Sequence, residues 1–310
     1  MCERKEQNEI VRAGTLGVNI RLGRLEDTII VIKEYKNTNA TYKKIAKKLI
    51  ENEKDKLHYL KTRTTAVVRI LNDIGDKRLQ LMLEYLNKGT LLDFINRIVI
   101  EERKQPELRD PRELRNFPWE DFTRGIFYRL MLLVETIHNY KVVHLDLKPE
   151  NIMFNNGFEL RLIDFGHSAY VDYSVKIPST DVGTTQYQAP EIARYLSTKR
   201  PFVGKPADVF SLGVILFVFH FRMLPFPIAN DADSRYGLII KEDYEKFWEV
   251  IEEITPISAS DDLKQLITAM LLNLPEERIS LSEVVNHPWI RRMTREDYDR
   301  TAEEIVRLLR

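Results

Sequence analysis

Hydrophobic residues change their spacing along this chain, and the change divides the sequence into two parts. In the first part, short apolar runs around residues 10–11, 20–22 and 29–32 lie between glycines, a pattern typical of three antiparallel strands. Residues 67–70 and 79–83 form two further strand-like runs. Together these runs predict a small antiparallel sheet of five strands.

One helix interrupts these strands, and several helices follow them. Residues 42–61 place Leu57 and Leu60 on one helical face, and another helix is predicted to begin near Thr90. Residues 119–140 have the strongest helical pattern, because apolar side chains recur there at helical spacing: Phe122, Ile126, Leu130, Leu133 and Ile137. We expect this face to lie in the core of a mainly helical second part.

Two charged segments complete the pattern. Residues 101–118 are charged and interrupted by prolines, so we expect a surface insertion there. Residues 291–310 place Ile305 and Leu309 among charges and predict an amphipathic helix. We interpret this helix as packed on the second part, with an autoinhibitory or partner-binding tail as the alternative.

The composition bounds the class of protein. The 310 residues are 44% hydrophobic and 30% charged, which is ordinary for a globular protein. Basic and acidic residues are equal at 47 each, so nothing in the net charge favours nucleic acid or a membrane surface as a partner. A group of lysines in the helix of residues 42–61 is interpreted as a solvated face: Lys43, Lys44, Lys47, Lys48, Lys54 and Lys56.

The cysteine content and the apolar runs predict a location. The single Cys2 excludes an internal disulfide framework and fits a reducing compartment. No signal peptide opens the chain, and the longest apolar run, residues 214–221, is too short to span a bilayer. We therefore expect an intracellular protein of the cytoplasm or the nucleus.

One short stretch contains an unusual concentration of reactive groups. Residues 143–151 read Val-His-Leu-Asp-Leu-Lys-Pro-Glu-Asn, and residues 164–166 read Asp-Phe-Gly. Transfer of the terminal phosphate of a nucleotide to a hydroxyl needs a carboxylate to orient the hydroxyl, a cation to neutralise charge and oxygen ligands for magnesium. This stretch supplies each of them.

The stretch resembles the catalytic loop and the metal-binding tripeptide of the protein kinases, and its Asp-Leu-Lys-Pro-Glu-Asn form is similar to the serine/threonine branch. Residues 183–191, Gly-Thr-Thr-Gln-Tyr-Gln-Ala-Pro-Glu, resemble the end of the activation loop in the same family. The sequence Asn-His-Pro-Trp-Ile at residues 286–290 resembles the calcium/calmodulin-dependent kinases and their relatives.

The resemblance implies an α+β, two-lobed fold with a small lobe of one five-stranded antiparallel sheet and one helix, and a larger, mainly helical lobe. The implied division is an extension at residues 1–8, a kinase domain at residues 9–290 and a final amphipathic helix at residues 291–310. The small lobe would span residues 9–86 and the large lobe residues 87–290.

The resemblance also implies ATP and Mg²⁺ as cofactors, and serine or threonine hydroxyls of protein substrates as acceptors. Asp146 would orient the acceptor hydroxyl and accept its proton, Lys148 would contact the transferred phosphoryl group, and Thr184 would bond to this pair. Asn151 and Asp164 would bind the metal, because magnesium prefers oxygen ligands.

Further upstream, the resemblance assigns residues to nucleotide binding. Lys33 ends a strand, as the phosphate-pairing lysine of the family does, and Glu53 would hold it in an ion pair, with Glu51 as the fallback. Gly14 and Gly17 resemble the second half of the glycine-rich loop, whose backbone N–H groups approach phosphates. A simple hairpin turn would also account for these two glycines.

The segment after the fifth predicted strand resembles the hinge between the lobes. The backbone of Glu84 and Leu86 would bond to the adenine edge, and Leu83 would close the back of the pocket. A strand end followed by a loop would have the same composition, so the interpretation rests on the position of the segment between Lys33 and the catalytic loop. In the large lobe, the resemblance implies that Asp208 supports the catalytic loop. It also implies that Arg278 pairs with Glu191.

One position departs from the family pattern. Leu145 stands where the family usually has an arginine that binds a phosphate on the activation loop. Leucine cannot form this pair, so we hypothesise that activity persists without phosphorylation of Thr180, which occupies the place of the usual phosphosite beside Ser179.

Two other functions are considered beside a protein kinase. A pseudokinase, used as a scaffold or binding module, would be marked by loss of Lys33, Asp146, Asn151 or Asp164, and none is lost. A small-molecule phosphotransferase of related fold is disfavoured by the Ala-Pro-Glu segment and by Arg278. The sequence does not predict an oligomeric state.

Overall fold

A computed structural model of the chain describes residues 10–13, 18–35, 40–72, 80–104, 119–171 and 185–310. Predictions that fall on Gly14, Gly17, Ser179, Thr180 and Thr184 lie outside these residues.

The first part of the chain forms the predicted five-stranded antiparallel sheet, in the order β1-β2-β3-β5-β4. In β3, apolar residues such as Ile30 and Ile32 are buried, as expected for a sheet with a covered face. The strands are β1 (Ile10–Ala13), β2 (Val18–Leu25), β3 (Thr28–Tyr35), β4 (Ile70–Asn72) and β5 (Gln80–Glu84).

The prediction of a strand at residues 67–70 was wrong in its position, because β4 begins only at Ile70. The residues before it pair with the second part of the chain instead. Val68 N–H donates to the carbonyl of Leu162 at 2.9 Å, and Leu162 N–H donates to the carbonyl of Ala66 at 2.9 Å. The apolar run at residues 66–68 therefore joins the two lobes.

Helix α1 (Ala40–Leu60) is the helix of the small lobe. Its buried face contains Leu49, Leu57 and Leu60, at the spacing that the sequence predicts. Lys56 corrects the interpretation of a solvated lysine face, because this residue is only 4% exposed.

The second part is mainly helical and confirms the predicted two-lobed α+β fold. Its helices are α2 (Leu91–Lys104), α3 (Trp119–Asn139), α4 (Pro190–Thr198), α5 (Gly204–Phe221), α6 (Tyr236–Ile240), α7 (Tyr244–Ile254), α8 (Asp261–Met270), α9 (Leu281–Asn286), α10 (Pro288–Arg291) and α11 (Arg295–Leu309).

Helix α5 lies at the centre of the large lobe and is apolar on nearly all sides. By length and composition alone it could cross a membrane, but 89% of it is buried inside the protein. An all-apolar helix that other helices surround is typical of a large core. Its burial places Asp208, near its beginning, deep beneath the catalytic loop.

Helix α2 corrects the predicted surface insertion at residues 101–118. The helix continues through Lys104, because the run Glu-Glu-Arg-Lys at residues 101–104 consists of good helix formers. The remainder of the predicted insertion, residues 105–118, lies outside the described residues.

Four short strands position the catalytic loop. Strand β6 (Val142–Val143) pairs with β9 (Ala169–Tyr170), and β7 (Ile152–Phe154) pairs with β8 (Leu160–Leu162) as the predicted hairpin. The loop of residues 144–151 therefore leaves one small sheet and enters the other.

The last helix, α11, packs on α3. Its buried residues are Thr301, Ile305 and Leu309, which recur every four positions along one face. The guanidinium of Arg129 on α3 donates to the carbonyl of Tyr298 at 2.9 Å and covers the ring of that residue. Gly125 on α3 lies directly against Thr301 on α11.

We expect Gly125→Ala to destabilise the protein by about 1–3 kcal/mol, because the added methyl group overfills a packed helix contact. An alanine Cβ at this position would lie 2.1 Å from the Thr301 hydroxyl oxygen. Urea unfolding measures the effect, with Gly237→Ala on α6 as the matched control, since no atom lies within 4 Å of a Cβ there. Equal stability of the two variants would contradict this account of α11.

Candidate active site

The catalytic loop holds one carboxylate between an amine and an amide. The Lys148 ammonium donates to the carboxylate oxygens of Asp146 at 2.9 and 3.2 Å. The Asn151 amide nitrogen donates to the same carboxylate at 2.8 Å and to the backbone carbonyl of Asp146 at 2.8 Å. These bonds fix the orientation of the carboxylate, while Asp146 stays partly accessible.

A buried aspartate supports this loop from below, as the sequence predicts. The Asp208 carboxylate accepts hydrogen bonds from the backbone N–H groups of His144 and Leu145, each at 2.8 Å. Leu145 has φ 62°, in the left-handed region that non-glycine residues rarely adopt. The two bonds to Asp208 stabilise this backbone conformation.

The sequence did not identify His138, which is a third partner of Asp208. The ring Nε2 of His138 lies 2.8 Å from Asp208 Oδ2, and both side chains are buried. In the sequence, His138 is recognisable only as a histidine that precedes His144 by six residues.

Lys33 connects the two lobes through two carboxylates. Its ammonium lies 2.7 Å from Glu53 Oε2 and 2.7 Å from Asp164 Oδ1. Lys33 is 6% exposed and Glu53 is fully buried. The alternative partner, Glu51, is exposed and lies 3.5 Å from Lys47, so the structure pairs Lys33 with Glu53.

The two carboxylates around Lys33 differ in their electrostatics. Burial raises the pKa of Glu53 to about 7, although the adjacent Lys33 ammonium acts to lower it. Burial also acts to raise the pKa of Asp164, but the charge and hydrogen bond of Lys33, together with the charges of His167 and Lys148, outweigh burial and hold that pKa below the ordinary value. Asp164 is therefore the carboxylate that stays ionised most readily.

Asp164 and Asn151 lie at the same end of the β7–β8 hairpin. The Ile163 N–H, one residue before Asp164, donates to the Asn151 carbonyl at 2.9 Å. The Asp164 side chain is 40% exposed, so its carboxylate is accessible from the cleft. A carboxylate and an amide oxygen are hard donors, and they fit a divalent cation such as magnesium.

His167 lies beside this group and is packed. It is 9% exposed, and burial lowers its pKa against the opposing effect of the Asp146 and Asp164 charges. An uncharged imidazole at this position does not neutralise the negative charges of Asp146 and Asp164.

The predicted hinge segment begins within β5, because Leu83 and Glu84 are the last two residues of that strand. The Glu84 N–H donates to the Arg69 carbonyl at 3.0 Å, and the Glu84 carboxylate accepts from the Arg69 N–H at 2.7 Å. Leu83 and Leu86 are buried on either side of this anchor. Binding of adenine by this backbone stays a prediction.

The predicted pair between Arg278 and Glu191 is present and buried. The guanidinium donates to the two carboxylate oxygens at 2.6 and 3.1 Å, in a bidentate arrangement. It also donates to the backbone carbonyls of Pro206 and Leu272 at 2.7 and 2.8 Å. This pair holds the start of α4 against the rest of the large lobe.

The structure thus brings Lys33 and Glu53 of the small lobe together with Asp164 of the large lobe. It also groups Asp146, Lys148 and Asn151 in the catalytic loop. His167 lies within electrostatic range of both groups. Of the other predicted site residues, Gly14, Gly17 and Thr184 lie outside the described part of the chain.

Comparison with known proteins identifies one family. The family described as the protein kinase domain matches residues 6–290. The match includes all of the site residues described above.

Three similar proteins come from plants. The chain is 28% identical to a carbon catabolite-derepressing protein kinase of Secale cereale, over 92% of this chain and 52% of the relative. It is 29% identical to CBL-interacting protein kinase 2 of Oryza sativa subsp. japonica, over 91% of this chain and 60% of the relative. It is 30% identical to CBL-interacting serine/threonine-protein kinase 16 of Arabidopsis thaliana, over 70% of this chain and 41% of the relative. The chain therefore spans between about two fifths and three fifths of the length of these relatives.

Proposed function

Because this chain belongs to the protein kinase domain family, we propose that it transfers the γ-phosphate of ATP to serine or threonine hydroxyls of protein substrates. A protein kinase domain implies the use of ATP and a divalent metal ion. The observation that carries the proposal is the position of Lys33, whose ammonium lies 2.7 Å from both Glu53 and Asp164.

The catalytic loop supplies the acid–base chemistry. Asp146 orients the acceptor hydroxyl and accepts its proton, since its carboxylate is fixed by Lys148 and Asn151 and the residue is partly accessible. Lys148 neutralises negative charge on the phosphoryl group as it is transferred. The loop is rigid because Asp208 holds its backbone, so the groups need little reorganisation.

The small lobe supplies the nucleotide site. Lys33 binds nucleotide phosphate, and Glu53 holds its ammonium at the inner wall of the cleft. The backbone of Glu84 and Leu86 binds the adenine edge, and the family motif implies that Gly14 and Gly17 contribute to phosphate binding. These roles follow the family motif residue by residue.

We propose Mg²⁺ as the divalent metal, held by Asn151 and Asp164. Their amide and carboxylate oxygens are ligands that magnesium prefers, and the low pKa of Asp164 keeps its carboxylate ionised for the metal. When bound, the metal neutralises charge on the nucleotide phosphates.

The serine/threonine acceptor is supported by the Asp-Leu-Lys-Pro-Glu-Asn form of the catalytic loop and by the name of the Arabidopsis relative. A scaffold without catalysis is disfavoured because Lys33, Asp146, Asn151 and Asp164 are all present and make the contacts described. We also propose that the protein acts in the cytoplasm or nucleus, on the basis of its single cysteine. Nucleic acid and membranes are not among the proposed partners.

The direct test is incubation of the protein with labelled ATP, Mg²⁺ and a degenerate array of serine, threonine and tyrosine peptides. We expect label on serine or threonine peptides, and none with Asp164→Ala, which removes a metal ligand. No transfer to any peptide would overturn the protein-kinase proposal.

A variant at the expected phosphosite, Thr180, tests the hypothesis that activity does not require phosphorylation there. Leu145 is 4% exposed and packs in the core, so it offers no cation to an activation-loop phosphate. Thr180→Ala is therefore expected to keep kcat within about threefold of the unaltered protein, because no charge-assisted pair is lost at residue 145. Phosphatase-treated unaltered protein serves as the control. Activity of the variant at background level would contradict the hypothesis.

A further inference from the structure

One residue of α1 contacts the metal-binding segment directly. The Asn52 amide nitrogen lies 3.3, 3.0 and 2.7 Å from the backbone carbonyl oxygens of Phe165, Gly166 and Ser168. These carbonyls belong to the 3₁₀ turn Phe165–His167 and to the residue that follows it. The Phe165 carbonyl also accepts from the Ser168 N–H at 3.2 Å and from the Ser168 hydroxyl at 2.6 Å. The last carbonyls of a helical turn need donors from outside it, and Asn52 is such a donor for Gly166.

The other end of the same amide is also bound. Lys56, one turn later on α1, donates to the Asn52 amide oxygen at 3.0 Å. Only the nitrogen of an amide can donate to carbonyls and only the oxygen can accept from an ammonium, so the two contacts fix one orientation. Lys56 is 4% exposed, which restricts it to this arrangement.

Lys56 extends the connection to β9. Its ammonium lies 4.0 Å from the centre of the Tyr170 ring and donates to the Asp55 carboxylate at 2.8 Å. Tyr170 also contacts the ring of Tyr59 on α1 edge-on, with ring centroids 5.5 Å apart. Strand β9 pairs with β6, and β6 leads into the catalytic loop. Through Lys56 and Tyr170, α1 therefore contacts the strand that pairs with the start of this loop.

The backbone that this network holds is strained. Asp164 has φ 62°, and a non-glycine residue persists in the left-handed region only where its surroundings determine it. Gly166 lies close to α1, since a Cβ there would be 3.6 Å from the Leu49 Cβ. Asn52 precedes Glu53, so one helical turn holds both the partner of Lys33 and the backbone after Asp164.

We infer that Asn52 is a positioning residue, which aligns Asp164 with Lys33 and Glu53 by binding the carbonyls of residues 165, 166 and 168, and that Lys56 orients its amide. This inference rests on the proposed kinase function. In this inference, the contact between α1 and the segment after Asp164 requires neither a phosphate on the activation loop nor a cation at residue 145.

The test compares Asn52→Asp and Asn52→Ala with Asn96→Asp, an exposed asparagine on α2, all in phosphatase-treated protein. The Asp variant keeps the size of the side chain but places an acceptor against carbonyl oxygens. We expect kcat to fall by about tenfold or more in both Asn52 variants, because the donor to three carbonyls is lost. The KM for the peptide acceptor is expected to stay within about twofold, since Asn52 does not contact it.

A second measurement separates positioning from general stability. Hydrogen exchange of the amides of residues 165–171 is expected to be faster in the Asn52 variants than in Asn96→Asp, with the large lobe unchanged. Lys56→Met is expected to lower kcat less than Asn52→Ala does. The double variant should lose less than the product of the two effects, because Lys56 acts partly through Asn52.

If kcat and exchange in both Asn52 variants equal those of Asn96→Asp, the inference is overturned. It is also overturned if kcat falls only in proportion to a loss of folded protein. If the unaltered protein transfers no phosphate, the proposed function fails. In that case the exchange of residues 165–171 decides the positioning role alone.

Discussion

Asp146→Asn is expected to lower kcat by about a thousandfold, because the carboxylate that accepts the proton of the attacking hydroxyl is removed. In the present structure this carboxylate accepts from Lys148 at 2.9 Å and from Asn151 at 2.8 Å. An amide would offer only one oxygen to these two donors. The KM for ATP is expected to change little, since we assign no nucleotide contact to Asp146. Steady-state kinetics with a serine or threonine peptide measure both quantities.

The matched control is Asp299→Asn, an exposed residue on α11 with no contact to the site residues described above. It should leave kcat unchanged. If Asp146→Asn kept more than about a tenth of the activity, Asp146 would not be the general base.

Arg278→Met is expected to have the largest effect on stability, at about 3–5 kcal/mol, because it leaves the buried Glu191 carboxylate without its partner. The guanidinium of Arg278 donates to both oxygens of Glu191 and to two backbone carbonyls, so no other group replaces it. Urea unfolding of the variant measures the loss.

Two further variants test whether the unpaired buried charge of Glu191 causes this loss of stability. Adding Glu191→Leu to Arg278→Met should recover part of the loss, since the uncompensated buried charge is then absent. Arg307→Met removes an exposed pair with Glu304 and should cost less than about 1 kcal/mol. A double variant less stable than Arg278→Met would show that Glu191 contributes through contacts other than this pair.

The sequence predicted the sheet and the main helices, because these depend on local patterns. The resemblance to a family motif predicted the pairs of Lys33 with Glu53 and of Arg278 with Glu191, and the structure contains both pairs. Alternation and helical spacing reflect burial of one face, and a motif such as that of residues 143–151 lies within one continuous segment. The predicted position of β4 was wrong because the apolar residues 66–68 pair with Leu162, far along the chain. Nothing in the local pattern distinguishes that pairing from a strand of the small sheet.

The residues that the sequence missed are polar side chains with distant partners. Asn52 contacts carbonyls 113 to 116 residues further along the chain, and His138 contacts Asp208 at a separation of 70 residues. Lys56 was interpreted as one of several solvated lysines, yet it is buried against Tyr170. Composition and periodicity show which face of a helix is apolar, but they do not show which polar group crosses to another element.

From Leu145 and Asn52 together, we expect the active site to be independent of phosphorylation of the activation loop. At residue 145 a buried leucine replaces the cation that would bind a phosphate, while α1 binds the segment after Asp164 through Asn52. We therefore expect the contacts of Lys33 with Glu53 and Asp164 to form without a phosphate on Thr180.

The initial rate of phosphate transfer by phosphatase-treated protein to one peptide, with ATP and Mg²⁺, tests the central claim most directly. Mass spectrometry locates the phosphate, and Lys33→Met is measured beside the unaltered protein. We predict phosphate on a serine or threonine and a rate at least about a hundredfold lower in Lys33→Met, because that variant loses the charge that positions the nucleotide phosphates. Equal rates in the two proteins, or no transfer by either, would contradict the account.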